Sequence, residues 1–111
     1  MAFIYYNPNP ARNTVGDCVI RAVSKVTDQS WDDAFTELMV KAFELKDMPS
    51  SNALWAAYLK EKGFTKTVIP DTCPDCYTVA EFTMDNPKGN YLLATGTHVI
   101  AVSDGNYYDT W

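Results

Sequence analysis

The segment HVIAVSDGNYYDTW, residues 98–111, alternates in the manner of two strands around an Asp-Gly turn, and its pairing decides how the rest of the chain is read. Asp-Gly between two such runs is a strong hairpin signal, because both residues tolerate the positive φ that a tight turn requires. With a two-residue loop at Asp104-Gly105, Ile100 lies opposite Asp109 and His98 opposite Trp111. Side chains alternate along a strand, so His98 shares a face with Ile100 and therefore with Asp109. The two become diagonal neighbours about 7–8 Å apart at the backbone, within reach of an imidazole–carboxylate hydrogen bond. A four-residue loop preserves that parity, whereas a three-residue loop without a bulge destroys it.

Upstream of the hairpin, NYLLAT (90–95) reads as a third strand of an antiparallel meander. The front of the chain has a helical period instead. Asp17 is placed to cap a helix over 18–28, with Val19, Ala22, Val23 and Val26 on one face. Ser30 caps a second helix over 31–46, whose apolar stripe is Trp31, Phe35, Leu38, Met39, Ala42 and Phe43. Ser51 or Asn52 caps a third that buries Leu54, Trp55, Tyr58 and Leu59 and stops at Gly63. FTKTVI (64–69) reads as a short strand, and Thr78-x-x-Glu81 is a capping box for a helix over 79–85. Helices followed by a meander predict an α+β fold, N-terminal helices packed on a small antiparallel sheet. The aromatic group Phe3, Tyr5 and Tyr6 fits an edge strand or an interface.

Composition narrows the function classes. The 111 residues form a single domain, 1–111, and 47% hydrophobic content suffices for one core. A net charge of −5 without a Lys/Arg cluster argues against nucleic acid as a partner. Apolar runs of only a few residues argue against a membrane span, and MAFIYYNPNPARN has no secretion-signal pattern. Three cysteines, an odd number, fit free thiols in a reducing, cytoplasmic setting.

Cys18 opens the first helix, where the positive end of the dipole and unpaired N–H groups favour a thiolate. If Cys18 meets the His98–Asp109 pair, the imidazole acts as base and then acid, and Asp109 fixes its tautomer and orientation. The backbone N–H of Cys18 and the side chain of Asn13 are the candidate oxyanion donors. Each residue also has a plain structural reading: a buried helix cysteine, a hydrogen-bonded strand histidine, an aspartate closing a turn. Arg21 fits an ion pair with Glu37 or Asp109, or recognition of a substrate carboxylate. Asp32, Asp33 and Glu37 form a solvated helix face. CPDC (73–76) offers two further soft ligands; with Cys18 and His98 it would make a Cys3His zinc site that consumes the proposed catalytic pair. The other reading is a loop with two ordinary thiols, and then neither cofactor nor metal is expected.

A cysteine at the start of the first helix, a histidine opening a later strand and an acid on the next strand is the order of papain-like cysteine peptidases. GDCVIRA (16–22) resembles the helix start of the bacteriocin-processing peptidase domains of ABC exporters. HVIAVSDGNYYDTW resembles the histidine strand, turn and acid strand of the same group. DTW is similar to the Asn-Ser-Trp of papain, with Asp109 in the asparagine place, and the layout also resembles small papain-like proteins of phage and bacterial genomes. The resemblance implies a minimal papain-like core with Cys18 as nucleophile, His98 as base, Asp109 as orienting acid and Trp111 shielding the pair from water. Six residues before the cysteine, where papain-like enzymes carry an oxyanion glutamine, this chain has Arg12, with Asn13 one residue closer. The implied activity is that of a hydrolase or acyl transferase acting on an amide or thioester bond of a protein or peptide. The alternatives are a catalytically silent papain-like protein that binds a host or phage partner, and a zinc-stabilised binding module.

Overall fold

A computed structural model describes residues 2–12, 16–68, 77–95 and 98–110. Its elements are β1 (Ala2–Tyr5), α1 (Cys18–Val26), α2 (Trp31–Leu45), α3 (Asn52–Glu61), α4 (Val79–Asp85), β2 (Asn90–Thr95), β3 (His98–Ser103) and β4 (Asn106–Asp109). The fold is α+β. β2, β3 and β4 form the antiparallel meander, in the order β1-β4-β3-β2. β1 completes the sheet by pairing in parallel with β4, so the sheet is mixed where the sequence pattern predicts a wholly antiparallel one. Alternation identifies a strand but carries no information on the direction of a partner from the other end of the chain, as Asn106 is for Ala2.

The hairpin closes through two residues, with Ser103 paired to Asn106, Val102 to Tyr107 and Ala101 to Tyr108. Asp104 and Gly105 both take positive φ, +48° and +80°, as this turn demands. The turn is further fixed by Gly89, whose N–H donates to the Asp104 carboxylate at 3.0 Å. At its far end β4 is locked by β1, where the Tyr6 N–H donates to the Asp109 carbonyl at 2.8 Å.

α1 packs chiefly on β3. Its residues Val19, Ala22, Val23 and Val26 join Val99 and Ala101 of the strand in one core with Leu38, Leu54 and Leu59. Ser30 caps α2 by accepting from the Asp33 N–H, and Thr78 caps α4 by accepting from Glu81 N–H. The buried side of α2 differs from the expected stripe. Ala34, Leu38 and Ala42 are buried, while Phe35, Met39 and Phe43 face outward, Phe43 being 75% exposed. α2 packs chiefly against α1 and α3, and a narrow row of small residues and one leucine fits between them. Residues 64–68 of the predicted FTKTVI strand have no strand pairing, since the β1-β4-β3-β2 sheet forms without them. Among the described residues, no helix is long and apolar enough to cross a membrane.

Candidate active site

The site is built where the first turn of α1 meets the ends of β3 and β4. His98 is the first residue of β3 and Asp109 the last of β4, and the hairpin register puts them on one face. His98 Nε2 lies 2.7 Å from Asp109 Oδ2, the contact predicted from strand parity. The imidazole is partly open to solvent at 22% exposure, whereas the Asp109 carboxylate is buried at 4%.

Asp109 does not stand alone behind the imidazole. Its other oxygen, Oδ1, accepts from Arg21 Nη2 at 2.8 Å and from the Thr110 N–H at 2.8 Å. Arg21 Nη1 in turn donates to Asp17 Oδ1 at 2.6 Å, and Trp31 Nε1 donates to Asp17 Oδ2 at 2.8 Å. A hydrogen-bonded chain therefore runs Trp31–Asp17–Arg21–Asp109–His98. Its two ion pairs are almost fully buried. Buried charges persist only when paired and hydrogen-bonded, and here each carboxylate oxygen has a donor. With two carboxylates and one guanidinium, the cluster reaches neutrality when His98 is an imidazolium.

Cys18 is the first residue of α1, directly after Asp17 and one turn before Arg21, half-buried against the core. Asp17 occupies the expected N-cap position, but its side chain makes no capping hydrogen bond, because Arg21 and Trp31 take both oxygens. The cap carboxylate is thus diverted from the first-turn N–H groups, which would otherwise be its partners. Since Asp17 and Asp109 hold the same guanidinium, the start of α1 is fixed beside the His98–Asp109 pair.

Of the residues expected to act, His98 and Asp109 are joined directly, and Cys18 is tied to them through its neighbour Asp17. Asn13, Cys73, Cys76 and Trp111 lie outside the described residues. Of the partners foreseen for Arg21, Asp109 is found. Glu37 instead bonds the Tyr58 hydroxyl and pairs with Lys62 at 3.3 Å; its side chain is still 40% exposed, on the solvated side of α2 with Asp32 and Asp33. The Glu37 carboxyl is held below its usual range mainly by the Tyr58 hydrogen bond, and the Tyr58 phenol is pushed well up by burial and by Glu37. The parts missed by sequence reasoning are Asp17 as an Arg21 partner and Trp31 as its donor. The signal was present: Asp17, Arg21 and Ser24 form a polar row at spacings of four and three along a helix whose other polar residue is Lys25, apart from the Cys18 thiol.

At the same helix start, Gly16 and Asp17 before α1, Val19 and Ile20 of α1, and Trp31 and Phe35 of α2 help to line an open groove of about 300 Å³. The Trp31 and Phe35 rings stack with centroids 5.0 Å apart. No family model matches this chain, and neither a curated protein nor a solved structure resembles it.

Proposed function

We propose that the protein is a papain-like cysteine-nucleophile enzyme, a hydrolase or acyl transferase acting on an amide or thioester bond of a protein or peptide. The observation that carries this reading is the 2.7 Å contact of His98 with a buried, Arg21-braced Asp109, adjoining the helix that Cys18 begins. Nε2 is the ring nitrogen bonded to Asp109, and in this reading the imidazole so oriented serves Cys18 as base and then as acid. An orienting carboxylate behind an imidazole at the mouth of a thiol-bearing helix is the arrangement that nucleophilic catalysis requires.

In the reaction, the Cys18 thiolate attacks the carbonyl carbon and forms an S–C bond, pushing the carbonyl electron pair onto oxygen. First-turn N–H groups of α1, left uncapped by Asp17, are donors for that oxyanion. Its collapse breaks the C–N or C–S bond as the imidazolium gives its proton to the leaving group. Water then attacks the thioester with His98 as base, releasing the acid and restoring the thiol; an amine in place of water gives transfer. Asp109 holds the imidazole through both steps and does not itself take the proton.

The test is a burst assay with p-nitrophenyl acetate, a generic acyl donor. The wild-type chain should release about one equivalent of nitrophenol per chain with the acetyl group mapped to Cys18. Cys18→Ser and His98→Ala should each abolish the burst. A burst that survives Cys18→Ser, or acetyl spread evenly over all three cysteines, refutes the enzyme reading. The silent-scaffold alternative draws on the outward apolar face of α2, where Phe43, Met39 and Val40 are exposed. It gains ground if Cys18 is acylated no faster than Cys73 and Cys76.

A further inference from the structure

We infer that Arg21, locked by Asp17, is the positioning residue of the thiol site: the Asp17–Arg21 pair sets the orientation of Asp109 on His98 and the net charge felt by the reacting groups. The inference rests on the reading of Cys18 and His98 as the reacting pair and adds two residues to it. Three observations lead to it. The guanidinium sits between two carboxylates in a planar fork, 2.6 Å from Asp17 and 2.8 Å from Asp109, and a rigid fork of this kind fixes both partners. Arg21 occupies one Asp109 oxygen and so leaves the other to His98, which selects a single carboxylate orientation. Asp17 adjoins Cys18 in the chain and still makes no capping bond, so its carboxylate serves the pair instead of the helix end.

Among the described residues, the ionisable groups of the site are Asp17 at the N-cap of α1, Cys18 and Arg21 on α1, His98 of β3 and Asp109 of β4. The next cation on α1, Lys25, is directed elsewhere, onto the rings of Tyr108 and Tyr6 at 4.2 and 5.8 Å. Removing charge from Asp17 or Arg21 therefore alters the field on the reacting pair with opposite sign. Loss of a negative charge makes protons easier to remove from either reacting group. Loss of a positive charge makes them harder to remove.

The experiment measures the iodoacetamide rate at Cys18, resolved by peptide from Cys73 and Cys76, as a function of pH in Asp17→Asn and Arg21→Gln. Asp17→Asn removes the charge and keeps one acceptor oxygen, which can serve Arg21 while the bond from Trp31 is given up, and it should move the Cys18 profile to lower pH by roughly half a unit or more. Arg21→Gln should move it to higher pH by a similar amount and lower the plateau several-fold, since Asp109 loses its brace. A purely structural pair would give loosened, ordinary thiol behaviour in both variants, with both profiles moving to higher pH. If Arg21→Gln does not fold, the downward shift in Asp17→Asn alone decides. A wild-type Cys18 already more reactive than its two companions, with neither variant shifting it, overturns the positioning role and leaves the enzyme reading intact. A wild-type Cys18 that reacts like the other two overturns both.

Discussion

Asp109 is held, among the described residues, by Arg21 and the Thr110 N–H on one oxygen, by His98 on the other, and by the Tyr6 N–H on its backbone carbonyl. The His98 side chain, by contrast, is 22% exposed. This difference predicts two separable phenotypes. Asp109→Ala leaves buried Arg21 with one carboxylate partner and should cost about 3 kcal/mol in urea unfolding as well as acylation at Cys18. His98→Ala should abolish acylation at a cost of about 1 kcal/mol or less, as expected for a partly exposed side chain. Equal destabilisation by the two would contradict the assignment of Asp109 as the buried hub.

At the scale of elements, the site depends on a turn. Asp104 and Gly105 set the register that brings Asp109 level with Ile100 and onto the His98 face. One glycine inserted between them should turn the Asp109 side chain to the opposite face. Such a chain should lose the Cys18 burst, and an insertion that keeps full activity would disprove the parity argument. Gly105→Ala is a milder probe. At φ +80°, with a new Cβ 3.4 Å from the Pro87 carbonyl oxygen, it should cost about 1–2 kcal/mol in thermal or urea unfolding with the register kept.

These elements also show what the sequence discloses and what it hides. Caps and turns are local, so Ser30, Thr78 and Asp104-Gly105 are legible as strings. The His98–Asp109 contact is legible too, because period-two geometry carries it across the turn. The outward side of α2 was not legible. Phe35, Met39 and Phe43 match a helical stripe as well as Ala34, Leu38 and Ala42 do, and only the closeness of α1 and α3 selects the smaller set. The parallel β1–β4 pairing and the Arg21 fork are long-range facts of the same kind, set by neighbours distant in the chain.

For the whole molecule, titratable contacts bound the pH range of stability. The Glu37 carboxyl is lowered from 4.5, chiefly by the Tyr58 hydrogen bond, so its contribution is present above that value and lost as pH falls through the folded one. The phenols of Tyr58 and Tyr6 are raised from 10.0, in both cases chiefly by burial. Their stabilising effect is complete below pH 10 and disappears as pH climbs towards their folded values. On these groups the melting temperature should fall as pH drops below about 4.5 and as it climbs above about 10. Tyr58→Phe should flatten the alkaline fall while lowering the plateau by about 1 kcal/mol for the lost hydrogen bond to Glu37. An alkaline limb unchanged in that variant would show that Tyr58 does not control it.

The same whole-chain view selects the decisive measurement, because the three cysteines provide their own controls. Native protein is treated with iodoacetamide near pH 6, quenched over time and analysed peptide by peptide. If Cys18 is a thiolate held by the His98–Asp109–Arg21–Asp17 chain, it should be alkylated at least tenfold faster than Cys73 and Cys76, since ordinary thiols are almost wholly protonated at that pH. The excess should vanish in His98→Ala. Equal rates at all three cysteines, unchanged by that substitution, would contradict the claim that Cys18 is a nucleophile.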